Sequence, residues 1–413
     1  MTHVLITAAG SYGDVAPYTG LGFRLRAAGY DVALATHGSF APLVEAAGLR
    51  FRELPAGPAG GKRAGAESAG APGAGGRKEL MRSASAFVRE LGSGLVDAAV
   101  RGADVLVLST TTAPLGWQLA EAMGVPAVGA YLQPTHPTRA FPPVVGGTRS
   151  LGGFGNRALG AFSLRMVDRV YADAVRDLRA RLSLPAATPR SVRARQERAQ
   201  WPVLHGFSPA VVPRPADWRP GLDVVGNWWP HHDPADRLPP ELDDFLRAGP
   251  PPVFIGFGSM AGGDGERLSG IAVAALRAAG LRGVLQAGRA GLVASGDDIL
   301  TVGEVPHALL FPRVAAVVHH AGAGTSAAAL RAGVPAVPVP VTADQPFWAA
   351  RLASLGAATA PVPFKNLTAP GLADALGRAV REAAYTSAAE RIARQMATED
   401  GAGHVVKAVE RAL

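Results

Sequence analysis

The chain is 413 residues long, 48% hydrophobic and 18% charged, and contains no cysteine. At roughly 100–200 residues per domain this length predicts two substantial domains, the apolar fraction excludes a wholly disordered chain, and the missing thiols exclude disulfides, thiolate-bound metals and cysteine nucleophiles. The net charge of +8 is almost all arginine, the only lysines being Lys62, Lys78, Lys365 and Lys407; its scatter, without interleaved aromatics, argues against nucleic acid as a partner.

In chain order, short β-branched runs alternate with longer amphipathic segments. His3–Ala8, Asp31–Thr36, Asp104–Ser109 and Pro126–Tyr131 read as strands, while Pro17–Ala28, Ser39–Ala47, Met81–Val100 and Ala113–Met123 carry apolar residues at helical spacing. Ala56–Lys78, mostly Gly and Ala, reads as a mobile loop over a cleft or as disorder. Arg190, Arg193, Arg195 and Arg198 read as a solvated helix face. The Pro- and Trp-rich stretch Pro209–Pro240 cannot sustain a helix or a central strand and reads as an interdomain linker.

A second series follows, with strands Val253–Phe257, Gly283–Ala287, Ile299–Val302, Ala315–His319 and Ala336–Val339. Its helices are Glu266–Ala279, Gly324–Ala332, Pro346–Leu355 and Ala369–Arg381, and a helical pattern after Thr386 reaches the C-terminus with a break at Gly401–Gly403. Strands bounded by helices, twice over, predict an α/β protein of two Rossmann-like doubly wound domains facing across a cleft. No apolar run approaches the ~20 residues of a membrane helix, and Met1–Thr7 lacks the basic start of a signal peptide. The expectation is a cytoplasmic protein with no stable membrane insertion.

Chemistry should sit on the loops at the carboxyl ends of both sheets. The first reads Ala9-Gly10-Ser11-Tyr12-Gly13-Asp14-Val15-Ala16-Pro17. Its glycines allow a tight turn, Pro17 suits a first helical turn, and Asp14 projects into the cleft just ahead of a helix. Asp14 reads equally as an N-cap and as a general base. The loop is not a dinucleotide fingerprint: aligned from Gly10, Tyr12 and Val15 stand where glycine is needed, and no acid closes the second strand.

In the second half, His319-His320-Ala321-Gly322-Ala323-Gly324-Thr325 joins a strand end to a helix start through small residues. Outward N–H groups and the helix dipole make an anion cradle, to which His320 can add a donor and Thr325 a hydroxyl; a tight turn built for packing is the equal alternative. Gly256-Phe257-Gly258-Ser259-Met260-Ala261-Gly262 is a second glycine-rich loop beside it. Two such loops converging on one cleft suit a diphosphate. Thr342-Ala343-Asp344-Gln345-Pro346 offers acceptors and donors suited to sugar hydroxyls, or else caps a helix. His136, in a loop after Pro126–Tyr131, reads as an acceptor-pocket residue or a plain loop polar group, and His307 stands near the nucleotide base. The sequence carries no P-loop, H-E-x-x-H, G-x-S-x-G or Asp-x-Asp pattern.

Val305-Pro306-His307, His319 to Thr325, Gly333-Val334-Pro335 and Asp344-Gln345-Pro346, taken with Gly10 to Pro17 and Phe254 to Met260, resemble GT-B glycosyltransferases. The likeness is nearest to bacterial sterol-type glucosyltransferases and the enzymes that glycosylate macrolide and glycopeptide aglycones. It spans nearly the whole chain in order. The resemblance implies a metal-independent, inverting transfer of a hexose from a nucleotide sugar to a hydroxyl of a lipophilic acceptor, with no separate cofactor. It implies Asp14 as base and His320 at the leaving group. Donor contacts would come from Ser11, Gly13, Gly258, Ser259, Val305, His307, His320, Gly322, Gly324, Thr325, Asp344 and Gln345, and acceptor contacts from Tyr12, Gln133, His136 and Phe141. Gln at position 345 points to glucose, hence UDP-glucose, with a dTDP-deoxysugar as the alternative. A nucleotide-sugar epimerase and a lipid-intermediate sugar transferase are further alternatives on the same fold.

Three departures stand against that pattern: Tyr12 where many relatives have Arg, Ala328 where plant relatives carry the ribose-binding acid, and Gly288-Arg289 in place of Gly-Trp. The implied division is an acceptor-binding domain over 1–212, a linker over 213–240, a donor-binding domain over 241–385, and a helical tail over 386–413 packed back on the first domain.

Overall fold

The computed structural model describes residues 1–56, 74–258, 264–288 and 290–413, apart from the side chains of 74–78 and 80. Ser259, Arg289 and most of the Ala56–Lys78 segment lie outside the described residues.

Two all-parallel sheets carry the chain. The first has seven strands in the order β3-β2-β1-β4-β5-β6-β7: β1 His3–Thr7, β2 Asp31–His37, β3 Arg50–Leu54, β4 Val105–Leu108, β5 Ala127–Tyr131, β6 Val203–His205 and β7 Leu222–Val224. The second has five in the order β10-β9-β8-β11-β12: β8 Val253–Gly256, β9 Gly283–Gln286, β10 Ile299–Val302, β11 Ala316–His319 and β12 Ala336–Pro338. Helices cover both faces, so central strands are apolar on both sides: all four residues of β4 and of β8 are buried. In each sheet the strand order reverses beside the first strand, between β1 and β4 and between β8 and β11. Loops leaving strands there open a crevice. Gly10–Asp14 follows β1, Gly258 follows β8, and His320–Thr325 follows β11.

Three strands were not foreseen. β3 carries Arg50, Arg52 and Glu53 as the first sheet's edge, with Arg52 buried and its guanidinium donating to the Ala98 and Gly102 carbonyls. β6 and β7 are three residues each and show no periodicity. β7 lies within the proline-rich stretch read as linker; it is tolerated because it is an outer strand with Pro220 ahead of it rather than inside it. The first helix begins at Tyr12, so Pro17 sits inside it. The break before the last helix, Gly401–Ala412, is set by Asp400, whose carboxylate accepts from the Gly403 N–H.

Helix Gly401–Ala412 returns to the first sheet, where Val405 and Val409 are fully buried among Val4, Ile6, Val15 and Leu21. The two halves share one apolar cluster that runs from Leu106 and Phe207 to Phe347, Trp348 and Leu352 of helix Gln345–Ser354. Phe141 meets Phe347 edge-on at 5.4 Å, Phe207 meets Trp348 at 5.8 Å, and the Arg351 guanidinium donates to the Val211 carbonyl. No described helix is long and apolar enough to cross a membrane.

Candidate active site

The loop after β1 turns on Gly10, whose φ of +147° disfavours any side chain; a Cβ there would also lie 2.5 Å from the Asp14 Oδ2. Ser11 caps helix Tyr12–Ala27. The Asp14 carboxylate folds back on it: Oδ2 accepts from the Ser11 N–H and from the Ser11 hydroxyl, both at 2.8 Å. Oδ1 makes no hydrogen bond among the described residues. Capping therefore occupies only one oxygen of the carboxylate. Gly13 is exposed, and Tyr12 is 52% exposed beside Phe40. Burial raises the Tyr12 phenol, and so does the Glu304 carboxylate, which belongs to the loop after β10. Tyr12 thus faces the second half across the gap.

In the second half, β11 ends in His319 and the loop after it begins with His320, two histidines with different work. His319 is fully buried; its Nδ1 accepts from the Ala321 N–H at 3.0 Å, closing a turn that holds Ala321 at φ +61°. Burial holds it neutral, down to about 3. The His320 ring lies between Gly258 and Gly322: a Cβ would come within 2.8 Å of its Cε1 at the first and 2.5 Å of its Nε2 at the second. Burial lowers His320 to about 4, so near neutral pH it offers a hydrogen bond and no charge. The positive end must come from helix Ala323–Arg331. Gly322 caps it without a side chain, and its first internal bond runs from Ser326 to Gly322, which leaves the Ala323, Gly324 and Thr325 N–H groups without a partner among the described residues. Beside Gly324 the space is open.

The flanking residues divide. Val305 is a core residue next to Phe311, so only its backbone can reach a ligand. His307 stacks on Phe311 at 4.3 Å and meets Phe254 edge-on, and burial, with His320 and His232 nearby, lowers it to about 4. Asp344 is 9% exposed; its Oδ2 accepts from Gln133 Nε2 at 2.8 Å and Trp348 Nε1 at 2.9 Å. Burial raises its pKa, and the Asp14 charge adds to the rise. Gln345 is buried, with Oε1 accepting from the Val341 and Thr342 N–H groups. Its carbonyl is committed to the turn, and only its NH₂ remains for a ligand.

Of the residues expected to contact an acceptor, Tyr12, Gln133 and Phe141 border the gap. His136 does not join them. Its ring stacks on Tyr131 at 5.9 Å, meets His205 and Trp218 edge-on, and lines a cavity of about 420 Å³ with Arg157, Arg193 and Asp217. Burial keeps it neutral. One site residue went unread: His37, at the end of β2, whose Nε2 accepts from the Gly10 N–H at 3.1 Å. Among the described residues no group of three or more His, Asp or Glu side chains is placed to hold a metal ion.

Residues 4–142 match the glycosyltransferase family 28 N-terminal domain, and residues 284–412 match the erythromycin biosynthesis protein CIII-like C-terminal domain. The chain is 36% identical over 417 residues to the O-mycaminosyltylonolide 6-deoxyallosyltransferase of Streptomyces fradiae, covering 98% of this chain and 96% of that one. It belongs to the GT-B glycosyltransferases. A sterol 3-beta-glucosyltransferase of Arabidopsis thaliana is 31% identical over 424 residues; the match takes in 98% of the glycosyltransferase described here and 64% of the plant protein. The solved structure of the glycosyltransferase VinC in complex with dTDP superimposes with a TM-score of 0.68 at 21% identity, covering 100% of this chain and 99% of that one, and shares the fold. A glycosyltransferase of this family takes its sugar from a nucleotide-sugar donor. The loop after β1, His37 and Gln133 fall in the first matched segment, and His307 to Gln345 in the second.

Proposed function

We propose that this glycosyltransferase moves a hexose, with inversion and without a metal ion, from a nucleoside diphosphate sugar to a hydroxyl of a lipophilic small molecule such as a sterol, macrolide or polyphenol, in the cytoplasm. The observations that carry the reading are an Asp14 carboxylate with only one oxygen engaged on the loop after β1, and a glycine-capped helix N-terminus on the loop after β11, whose first amides have no partner among the described residues. Asp14 takes the proton from the acceptor hydroxyl as its oxygen attacks the anomeric carbon. The bond from that carbon to the diphosphate breaks, and the charge on the leaving group is met by the Ala323, Gly324 and Thr325 amides and a hydrogen bond from neutral His320. Asp344 and the Gln345 NH₂ hold the hexose. Tyr12, Gln133 and Phe141 border the acceptor, an apolar surface to which Phe40 and Phe347 contribute. In this reading residues 1–212, joined by β7 from within the 213–240 stretch, bind acceptor and 241–385 bind donor; of 386–413 only helix Gly401–Ala412 braces the first domain, while the helix before it, Ala383–Met396, packs on helix Ala323–Arg331 of the second.

The Asp344–Gln345 pair argues for glucose, carried by UDP. A dTDP-linked 6-deoxyhexose is the second reading. It is favoured by the engaged Gln345 carbonyl, which leaves the pair fewer contacts for sugar hydroxyls, and by the deoxyallosyl transfer in the name of the Streptomyces relative. The test is a donor-by-acceptor screen read by mass spectrometry, with UDP- and dTDP-hexoses against macrolide, steroid and flavonoid panels. A mass gain of one hexose or deoxyhexose names the donor. Donor binding without transfer to any acceptor in the panels, and without hydrolysis, would sink the enzymatic reading.

A further inference from the structure

We infer that His37 is a positioning residue for the transfer step, fixing the peptide that aims the Asp14 carboxylate. The inference rests on the base role proposed for Asp14 and adds a residue to it. Gly10 and Ser11 are consecutive, and their two N–H groups are tethered to different side chains. The Gly10 N–H donates to His37 Nε2 at 3.1 Å, and the Ser11 N–H donates to Asp14 Oδ2 at 2.8 Å. With both amides held, the loop cannot rotate without breaking one bond, and the carboxylate keeps Oδ2 on Ser11 and leaves Oδ1 unengaged among the described residues. The fit is close: a Cβ on Gly10 would meet Oδ2, Cβ and Cγ of Asp14 within 2.8 Å.

His37 is well built for that role. It is the last residue of β2, the neighbour of β1, and is 6% exposed. Its ring lies against Phe40 at 6.2 Å and Phe87 at 6.4 Å, so it has little freedom to swing. Because Nε2 accepts, the ring is neutral with its proton on Nδ1. What the loop requires from position 37 is thus a fixed acceptor at the Nε2 position, which chemistry can separate from ring packing. Gln places a carbonyl oxygen near Nε2, Asn places one near Nδ1, and Phe keeps the ring without an acceptor.

The experiment compares steady-state kinetics of His37→Phe, His37→Gln, His37→Asn, Asp14→Asn and the Asp14→Asn/His37→Phe double variant, with thermal unfolding as the control for folding. His37→Phe and His37→Asn should lower kcat roughly 10–100-fold, the loss that a misplacement of about 1 Å produces, with donor KM changed less than about twofold. His37→Gln should recover most of the turnover, and the double variant should be no slower than Asp14→Asn alone, since both changes remove one function. Equal losses in His37→Phe and His37→Gln at unchanged unfolding temperature would overturn the inference, because then the ring and not the acceptor matters. A full-rate His37→Phe beside an inactive Asp14→Asn would overturn it too while leaving the base reading intact. A full-rate Asp14→Asn would remove the base reading, and the inference with it.

Discussion

Gln133 and Asp344, 211 residues apart in the chain, are joined by a 2.8 Å hydrogen bond from the amide NH₂ to Oδ2, linking the loop after β5 to the start of helix Gln345–Ser354. The bond ties an acceptor-side loop to the carboxylate proposed to hold the sugar. Asp344 is nearly buried, and desolvation lifts its pKa. A carboxyl raised in the folded state stabilises the fold below its unfolded pKa and loses that contribution as pH rises through the folded value. Near neutral pH the buried charge is therefore a burden on the empty enzyme. Asp344→Asn keeps an oxygen for Gln133 and Trp348 and removes the charge, so it should raise stability by about 1 kcal/mol at neutral pH while lowering kcat/KM for the donor. Calorimetric unfolding from pH 3 to pH 8 checks the first part, since the gain should vanish toward low pH. An unfolding temperature lower than wild type at pH 8 would contradict it.

Asp14→Asn separates capping from chemistry. Asn still accepts the Ser11 N–H at the helix start, so the fold should be unaffected. The amide cannot take a proton from the acceptor, and kcat should fall by roughly 10²–10⁴ with donor affinity nearly unchanged. Turnover on a saturating acceptor and donor titration by calorimetry measure the two quantities separately.

Much of this arrangement is legible in the chain because parallel strands buried on both faces are short unbroken apolar runs, as in Val105–Leu108 (Val-Leu-Val-Leu) and residues 253–255 (Val-Phe-Ile). The loops after β1, β8 and β11 stand out for the same reason. What escapes reading is what depends on spatial neighbours. β6 and β7 are too short for a period. His37 matters because β2 lies beside β1, and a single histidine at a strand end announces nothing of that. His136 reads as an acceptor-pocket residue or a loop polar group, yet the nearby Tyr131 and, distant in sequence, His205 and Trp218 close around it. The start of the first helix was misplaced because Pro17 outweighed the Ser11–Asp14 pair, which is the stronger signal.

Glu121 should set the acid limit of the first domain. It bridges Arg179, which is almost wholly buried, and Arg195 of helix Pro189–Arg198. Hydrogen bonds from Arg179 first and Arg195 second, against an opposing desolvation, lower its pKa to about 2. A depressed carboxylate stabilises the fold above its unfolded pKa of about 4.3 and loses that contribution as pH falls toward 2. Glu121→Gln leaves the buried Arg179 guanidinium with neutral acceptors only, the Gln118 side chain and the Pro185 carbonyl among them, and should destabilise by about 3 kcal/mol at neutral pH. Urea unfolding at pH 7 and pH 3 tests both statements, because the difference between variant and wild type should narrow at the lower pH.

Gly324 offers the opposite combination, a change that should help the fold and harm the site. It occupies the first turn of helix Ala323–Arg331, its φ is not in the left-handed region, and a Cβ would meet no atom within 4 Å. Replacing a helical glycine by alanine limits the unfolded chain and stabilises by roughly 0.5–1 kcal/mol. The open space beside it is where the proposed diphosphate lies against the amides of residues 323 to 325, so the added methyl should hold the ligand off them. Gly324→Ala should therefore unfold at a higher temperature and bind UDP or dTDP at least roughly tenfold more weakly, a loss of about 1.4 kcal/mol. Gly322→Ala is the comparison: its Cβ would come within 2.5 Å of His320 Nε2, so it should lose stability as well as affinity. If Gly324→Ala binds both nucleotides as tightly as wild type, the diphosphate is not held at this helix start.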